Sequence, residues 1–518
     1  PGTGCKEAPR CFNIKFMRAV RDEFGAQATT SDDQLLVRHT KERRLDFIGS
    51  VHVDDLLAAA PRRVLEALLA ALEKVFGKGE LDVSKTNFVA CGVRHTQIKD
   101  AQGRQVGYKM DQDEYVAALK IISLPTVQTG GANTDADYDC AKLFLSLLMA
   151  LAYSLVIRVD LGVYVVALQR YLQTPKYIHV RRLNTIVRWS QKNPLGLVYR
   201  RFACQSVLEA HTDAGFRREE DVDQIYQGRA TRGTNTFRLG PKTGFNRQCH
   251  LIDFQVGTTK QVVRSTLTAE GHSIIGATDS GLVLKVTMHE VKNGPASNET
   301  ACAISEGNAG AFKLDVITDS RNILAALEVS RTKAPAEKSF FFHLLWLKDK
   351  LQRGALRALE WRDTRDVTAD GHTKGSIDRR VLRKCAEGEF SQQHESKRLI
   401  LGPEKGTATR PPAEPSQPSS YSAVQFAAVV VTVAGPESDF PPPLPLRPNS
   451  PRARTRGEAA LKGLTPSCTA CEAGDGPVEA MSNDRPVSGE TKSFDDWIHD
   501  QAQFAHYGAC PGRDGADG

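Results

Sequence analysis

Twelve of the 25 prolines in this 518-residue chain fall between Pro403 and Pro451, among them the run Pro441-Pro442-Pro443-Leu444-Pro445. Proline fixes φ and lacks a backbone donor, so a segment this dense in it suits neither a helix interior nor a central strand. Its apolar content is also too low to offset the entropy of ordering. The composition changes at about residue 402, and residues 389–518 read as a mostly disordered, Pro-rich tail. Folding is thereby confined to about 400 residues, enough for more than one domain with a real core. The apolar island Ala427–Ala434 inside the tail is too short to cross a bilayer, which takes about 20 residues. Leu143–Ile157, the longest apolar run, is interrupted by Ser146 and Ser154 and reads as a buried helix. No membrane partner is expected.

The formal net charge of +7 is unevenly placed. Between Leu161 and Leu208 there is no Asp or Glu, while Arg170, Lys176, Arg181, Arg182, Arg188, Lys192, Arg200 and Arg201 supply eight positive charges, which leaves the rest of the chain close to neutral. With Tyr171, Tyr177 and Trp189 interleaved, the stretch has the chemistry of a surface that tracks phosphates and stacks on bases or sugars. The 11 cysteines are scattered, and Cys468 and Cys471 are the one C-x-x-C pair, without the second pair a zinc ribbon requires. Free thiols suit a reducing intracellular compartment, cytoplasm or nucleus.

Periodicity gives two strands and a tight acidic turn over Leu45–Ala60, then an amphipathic helix from Pro61 to Phe76 closed by Gly77. Residues 88–110 read as strand, turn, strand with Gly103 at the turn, and helices follow over 112–122 and 141–193. Strands are expected at Gly196–Ala203, Leu208–Thr212 and Cys249–Val256, before a long helix over 266–288. A strand at 312–318, helices at 320–330 and 337–352 and a strand at 356–361 complete the folded part. This order predicts an α+β and α/β chain in which a mixed sheet carries flanking helices.

Two sets of acids stand out. Asp54 and Asp55 sit together in the first turn, where paired carboxylates can hold a divalent cation if a third acid joins them. Asp213, Glu270, Asp319 and Asp370 are separated, at a strand end, in the first turn of a helix capped by Thr266 or Thr268, at a strand-to-helix junction, and in Ala369-Asp370-Gly371-His372-Thr373-Lys374. Strand-end acids gather at one sheet edge, and such a cluster repels itself unless cations neutralise it. Carboxylate oxygens select Mg²⁺ or Mn²⁺, and the chemistry such a site suits is phosphodiester hydrolysis.

The wording around both sets resembles the Pol polyprotein of copia-type LTR retrotransposons. Val51-His52-Val53-Asp54-Asp55-Leu56-Leu57 resembles the Tyr-x-Asp-Asp hairpin of reverse transcriptases, with His52 at the tyrosine. Gly4-Cys5-Lys6-Glu7-Ala8-Pro9-Arg10-Cys11-Phe12 is similar to G-L-K-Q-A-P-R-x-W, and Phe88–Val93 to the F-L-G-I strand. Asp111–Tyr115 resembles the Q-x-x-Y that follows, and Arg158-Val159-Asp160-Leu161 stands at R-P-D-I. Ala230-Thr231-Arg232-Gly233 is similar to S-T-S-G, Lys260–Glu270 to K-Q-x-x-V-x-x-S-S-x-E-A-E, and Ala369–Lys374 to A-D-x-L-T-K.

The resemblance covers about residues 1–385 and implies a truncated reverse-transcriptase palm over 1–122, a helical thumb or connection over 123–203 and a ribonuclease H-like domain over 204–388. It implies catalytic roles for Asp54 and Asp55 in polymerisation. The family's first catalytic aspartate precedes the segment matched by Gly4–Phe12, so polymerase activity is not expected of these residues alone. It further implies that Asp213, Glu270, Asp319 and Asp370 bind Mg²⁺ (or Mn²⁺) and cleave RNA in an RNA–DNA hybrid. The remaining Pol polyprotein is the other implied partner. His272 replaces the second glutamate of E-A-E, which leaves open which position is the ligand. His343 and His372 are candidates for a histidine that aids product release, or are structural. The stretches 241–250 and 291–311 read as insertions. Alternatives are a non-catalytic relic that at most binds nucleic acid and, less favoured by motif order, another ribonuclease H-like nuclease such as an integrase.

Overall fold

A computed structural model describes residues 8–53, 55–124, 131–203, 206–216, 228–307, 309–335, 337–402 and 426–433. They form a mixed α+β structure built on three sheets. Helix α1 (Ala8–Arg18) leads to strands β1 (Gln27–Ala28), β2 (Leu35–His39), β3 (Leu45–His52) and β4 (Asp55–Pro61), helix α2 (Arg62–Phe76) and strand β5 (Leu81–Lys85). The expected hairpin is present: β3 and β4 pair antiparallel, with His52 opposite Asp55. Leu65, Leu68 and Leu72 place α2 on this sheet, against Phe16, Val20, Phe47 and Leu56. The first sheet has the order β1-β2-β3-β4-β17-β5, where β17 (Phe426–Val433) is the apolar island of the proline-rich segment. That stretch is therefore a strand, not part of an unstructured tail. The other tail residues from 403 onward lie outside the described residues.

The second sheet, β6-β7-β8-β9, contains β6 (Asn87–Ala90), β7 (Val93–Lys99), β8 (Gln105–Asp111) and β9 (Gly196–Arg200). One more strand is present than the pattern over 88–110 suggests, because a turn with φ of 49° at Cys91 and 67° at Gly92 splits the first run. Between β8 and β9 lie helices α3 (Asp113–Ala117), α4 (Tyr138–Tyr153), α5 (Gly162–Gln169) and α6 (Tyr177–Lys192). Phe144, Leu148, Leu151, Leu161, Val180, Leu183 and Val187 make their common core. The expectation of a buried helix at 143–157 holds for one face only. Leu143, Leu145, Met149, Tyr153 and Val156 are exposed, and by length and hydropathy Tyr138–Val156 is the one described helical run apolar enough to cross a membrane.

The third sheet has seven strands in the order β15-β12-β11-β10-β13-β14-β16. Its elements are β10 (Val207–Gly215), β11 (Arg229–Leu239), β12 (Asn246–Val262), α7 (Thr266–Asn293), α8 (Asn298–Glu306), β13 (Lys313–Thr318), α9 (Arg321–Glu328), α10 (Phe340–Arg353), β14 (Ala358–Arg362), α11 (Asp370–Thr373), α12 (Arg380–Ala386), β15 (Glu389–Ser391) and β16 (Ser396–Leu399). Strands β10, β13 and β14 run parallel, and the other pairings are antiparallel. Of the two stretches read as insertions, residues 246–250 belong to β12 and residues 298–306 form α8 capped by Ser297. Two expectations are corrected here. The folded region passes residue 388, since β15 and β16 complete the sheet and Leu399 enters its core opposite Leu359. Finally, α7 is capped by Ser265, whose hydroxyl accepts from Thr268 N, so Thr266 and Thr268 are not the cap.

Candidate metal centre

The parallel register between β10 and β13 decides where two acids go. His211 pairs with Ile317, so Asp213 and Asp319, each two residues further on, come to the same carboxyl edge of adjacent strands. That edge is where open α/β sheets place ligands. Glu270, the fifth residue of α7 and thus past its first turn, reaches the same point. The helix is pinned there one turn later: Ser273 Oγ donates to the Asp213 carbonyl at 2.8 Å and lies 2.6 Å from Thr212 Oγ1. Asp213, Glu270 and Asp319 each offer a carboxylate oxygen, and these oxygens lie within 4.8 Å of one another. Opposite ligands around an ion of Mg²⁺ size are about 4 Å apart.

Asp370 opens α11 and lies beside the cluster, close enough to feel the charges of Asp213 and Asp319. It is paired with Lys374, whose Nζ is 2.8 Å from Asp370 Oδ1 and 3.8 Å from Asp213 Oδ2. Thr373 Oγ1 donates to Asp213 Oδ2, and Thr364 Oγ1 donates to Asp319 Oδ2 at 2.9 Å. Asp213 therefore belongs to both groupings, the trio of carboxylates and the aspartate–lysine pair.

The electrostatics follow from burial and crowding. Burial, then Asp213 and Asp319, push the Glu270 carboxyl well above its ordinary range. Asp319 is raised by burial and then Asp213, and Asp370 is pushed up to about 9 by burial and then Asp213. Burial works against the Lys374 charge, but Asp213, Asp370 and Asp319 together outweigh it and hold that ammonium above its ordinary value. Glu270 is 8% exposed, and its Oε2 is buried without a hydrogen-bond partner. A buried carboxylate oxygen left unmatched in a protein interior is costly unless something fills the place of the donor. The donors are all hard oxygens, so a divalent cation of the Mg²⁺ or Mn²⁺ kind fits this set.

Among the acids singled out from sequence, the structure brings together Asp213, Glu270 and Asp319, with Asp370 adjacent. Asp54 lies outside the described residues. Asp55 is on β4 in the first sheet and is not grouped with a third acid among the described residues. Helix geometry brings Glu270, and not His272, to the acidic cluster. Two residues correspond to about 200° around the axis, and His272 packs instead on Phe340 and His343 at ring distances of 5.7 and 5.0 Å. His343 goes with it. His372 is fully buried, with Nε2 2.7 Å from Asn235 Oδ1, so it is a structural residue here.

The basic stretch divides. Arg181, Arg188 and Lys192 share one exposed stripe of α6, and Arg200 and Arg201 are exposed at the end of β9. Lys176 and Arg182 are half-buried. Arg170 is buried at 3% exposure because it ends α5, a helix enclosed on nearly every side, and it is removed from the expected basic face. The aromatics also turn inward: Tyr177 donates to Asp137 at 2.7 Å, and Trp189 lies under the guanidinium groups of Arg158 and Arg383. Sequence reading passed over Lys374, Thr373 and Ser273. The signal for Lys374 was available, since a lysine four residues after an acid on a helix is a standard pair.

No protein-family model matches the chain, and no curated protein matches it.

Proposed function

We propose that this chain is a piece of a copia-type retrotransposon Pol polyprotein, and that its third sheet with flanking helices is a ribonuclease H-like domain cleaving RNA in RNA–DNA hybrids. One observation carries the reading: Asp213, Glu270 and Asp319 converge at the carboxyl edge of two parallel strands, with a buried Glu270 oxygen left unpartnered. Asp213, Glu270 and Asp319 would hold a divalent cation, with Asp370 completing a second position. When bound, such an ion neutralises the scissile phosphate and acidifies a water molecule. The chain's own residues do the rest. Ser273 and Thr373 fix Asp213, Thr364 fixes Asp319, and the Arg181–Arg188–Lys192 stripe offers charge to a phosphate backbone. A hybrid is recognised by backbone shape and 2′-OH groups, so little sequence preference is expected. In this reading the β3–β4 hairpin corresponds to the polymerase palm.

The test is cleavage of an end-labelled RNA–DNA hybrid by the full chain in Mg²⁺ or Mn²⁺. The RNA strand should be cut, the DNA strand should stay intact, and EDTA or Asp319→Asn should reduce cleavage to background. Cutting that survives Asp319→Asn overturns the assignment. Salt-dependent binding without cutting in either metal would instead favour a non-catalytic relic.

A further inference from the structure

The acidic cluster holds one cation already. Lys374 Nζ lies 2.8 Å from Asp370 Oδ1 and 3.8 Å from Asp213 Oδ2. A divalent ion shared by Asp213 and Asp370 would sit about 2.1 Å from their oxygens, among the same acceptors the ammonium now uses. The two cations compete for one place. The Glu270 Oε2 atom, by contrast, is buried without a hydrogen-bond partner. One part of the cluster thus lacks a donor, and another is served by a tethered charge.

We propose that Lys374 is a built-in monovalent counter-ion occupying the second cation position, so that the free protein takes one divalent ion readily and a second only by displacing this lysine. The proposal rests on the metal-centre reading above and adds a rule for how that centre loads. The lysine spares the metal-free fold the repulsion of four crowded acids. Its release also couples the second ion to whatever draws the ammonium away, and a phosphate group of the substrate is a suitable acceptor for it. Only the Lys374 side chain need move. Lys374 is the first residue after α11 and is partly exposed. The next residue, Gly375, is anchored independently, its carbonyl accepting from Tyr164 Oη at 2.7 Å.

The experiment counts Mn²⁺ ions by titrating the full chain and following free Mn²⁺ by electron paramagnetic resonance. The wild type should bind one ion tightly and a second more weakly. Lys374→Met should tighten the second by at least about tenfold, since the ammonium that competes for the same oxygens is removed, and Lys374→Arg should keep the wild-type pattern. A Lys374→Met protein whose second ion binds no tighter overturns the proposal, as does an arginine variant that behaves like the methionine one. A wild type that binds no Mn²⁺ overturns the metal-centre reading itself and this inference with it. If the methionine variant does not fold, the wild-type protein still decides the matter. Labelling by an amine-reactive ester, mapped peptide by peptide, should rise several-fold at Lys374 and at no other lysine when Mn²⁺ is saturating. Unchanged labelling of Lys374 counts against displacement.

Discussion

Glu270 shows how one side chain sets the pH behaviour of the metal-free protein. In the unfolded chain its carboxyl titrates near about 4.3, whereas in the folded chain burial and the neighbouring Asp213 and Asp319 raise it well above that. Between those two values the folded state binds more protons than the unfolded state, so this group makes stability fall as pH rises. Asp370, pushed to about 9, extends the same trend to the alkaline side of neutrality. Glu270→Gln removes the charge and keeps the shape. At pH 8 without metal it should raise Tm by a few degrees, equivalent to about 1–2 kcal/mol, with the gain vanishing below pH 4. Saturating Mn²⁺ should stabilise the wild type at pH 8 and the variant much less. A variant that melts lower than wild type at pH 8 would show that the cluster is not strained. The acids were legible in sequence because each sits where a strand ends or a helix begins, and chemistry alone argues for gathering them. Their partners were not. Ser273 and Thr373 act through hydrogen bonds to Asp213 that no spacing rule announces, and the burial of Arg170 depends on what packs around α5.

At the scale of elements, α7 holds Glu270 in place through close packing as well as hydrogen bonds. Gly271 lies so near α10 that a Cβ there would come within 1.8 Å of the Phe340 ring. Gly271→Ala should therefore force the two helices apart and cost about 1–3 kcal/mol in urea unfolding. Phe340→Leu in the same chain should recover part of that loss, because the two changes share one contact. Additive losses would mean that the crowding is relieved elsewhere. The long periodic run of α7 was readable, but β11 was not. Its central residues Thr231, Thr234, Asn235 and Thr236 are polar and all buried, so hydropathy reads them as a loop. Asn235 is tolerated because it is satisfied: its Nδ2 donates to Thr368 Oγ1 at 3.2 Å and its Oδ1 meets His372. A polar buried strand is visible only once its hydrogen-bond partners are known.

At the scale of the whole molecule, the joint between the first sheet and α7 is centred on one carboxylate. Glu290, fully buried near the far end of α7, accepts from Thr30 N at 2.7 Å, Ser31 N at 3.2 Å, Ser31 Oγ at 2.9 Å and Ala296 N at 2.9 Å. His39 Nε2 meets the Val291 carbonyl beside it at 3.1 Å. Sequence reading gave the regions in order but not this seam, since a lone glutamate at a helix end looks like surface charge. Its twenty-residue separation from Glu270 spans about 30 Å of helix, so one rigid element ties the first sheet to the metal centre. Burial opposes the Glu290 charge, but the hydrogen bonds from Ala296, Thr30 and Ser31 outweigh it and hold the carboxyl below its ordinary range. Its contribution is therefore present above about pH 4.3 and is lost as pH falls through the lowered value. Glu290→Ala strands these buried donors and should cost about 2–4 kcal/mol at pH 7, with a smaller difference from wild type in strong acid. Because the lost bonds lie at the seam, the first sheet should also melt separately, giving two calorimetric transitions where the wild type gives one. A single transition at the wild-type temperature would show that the hydrophobic contacts alone carry the joint.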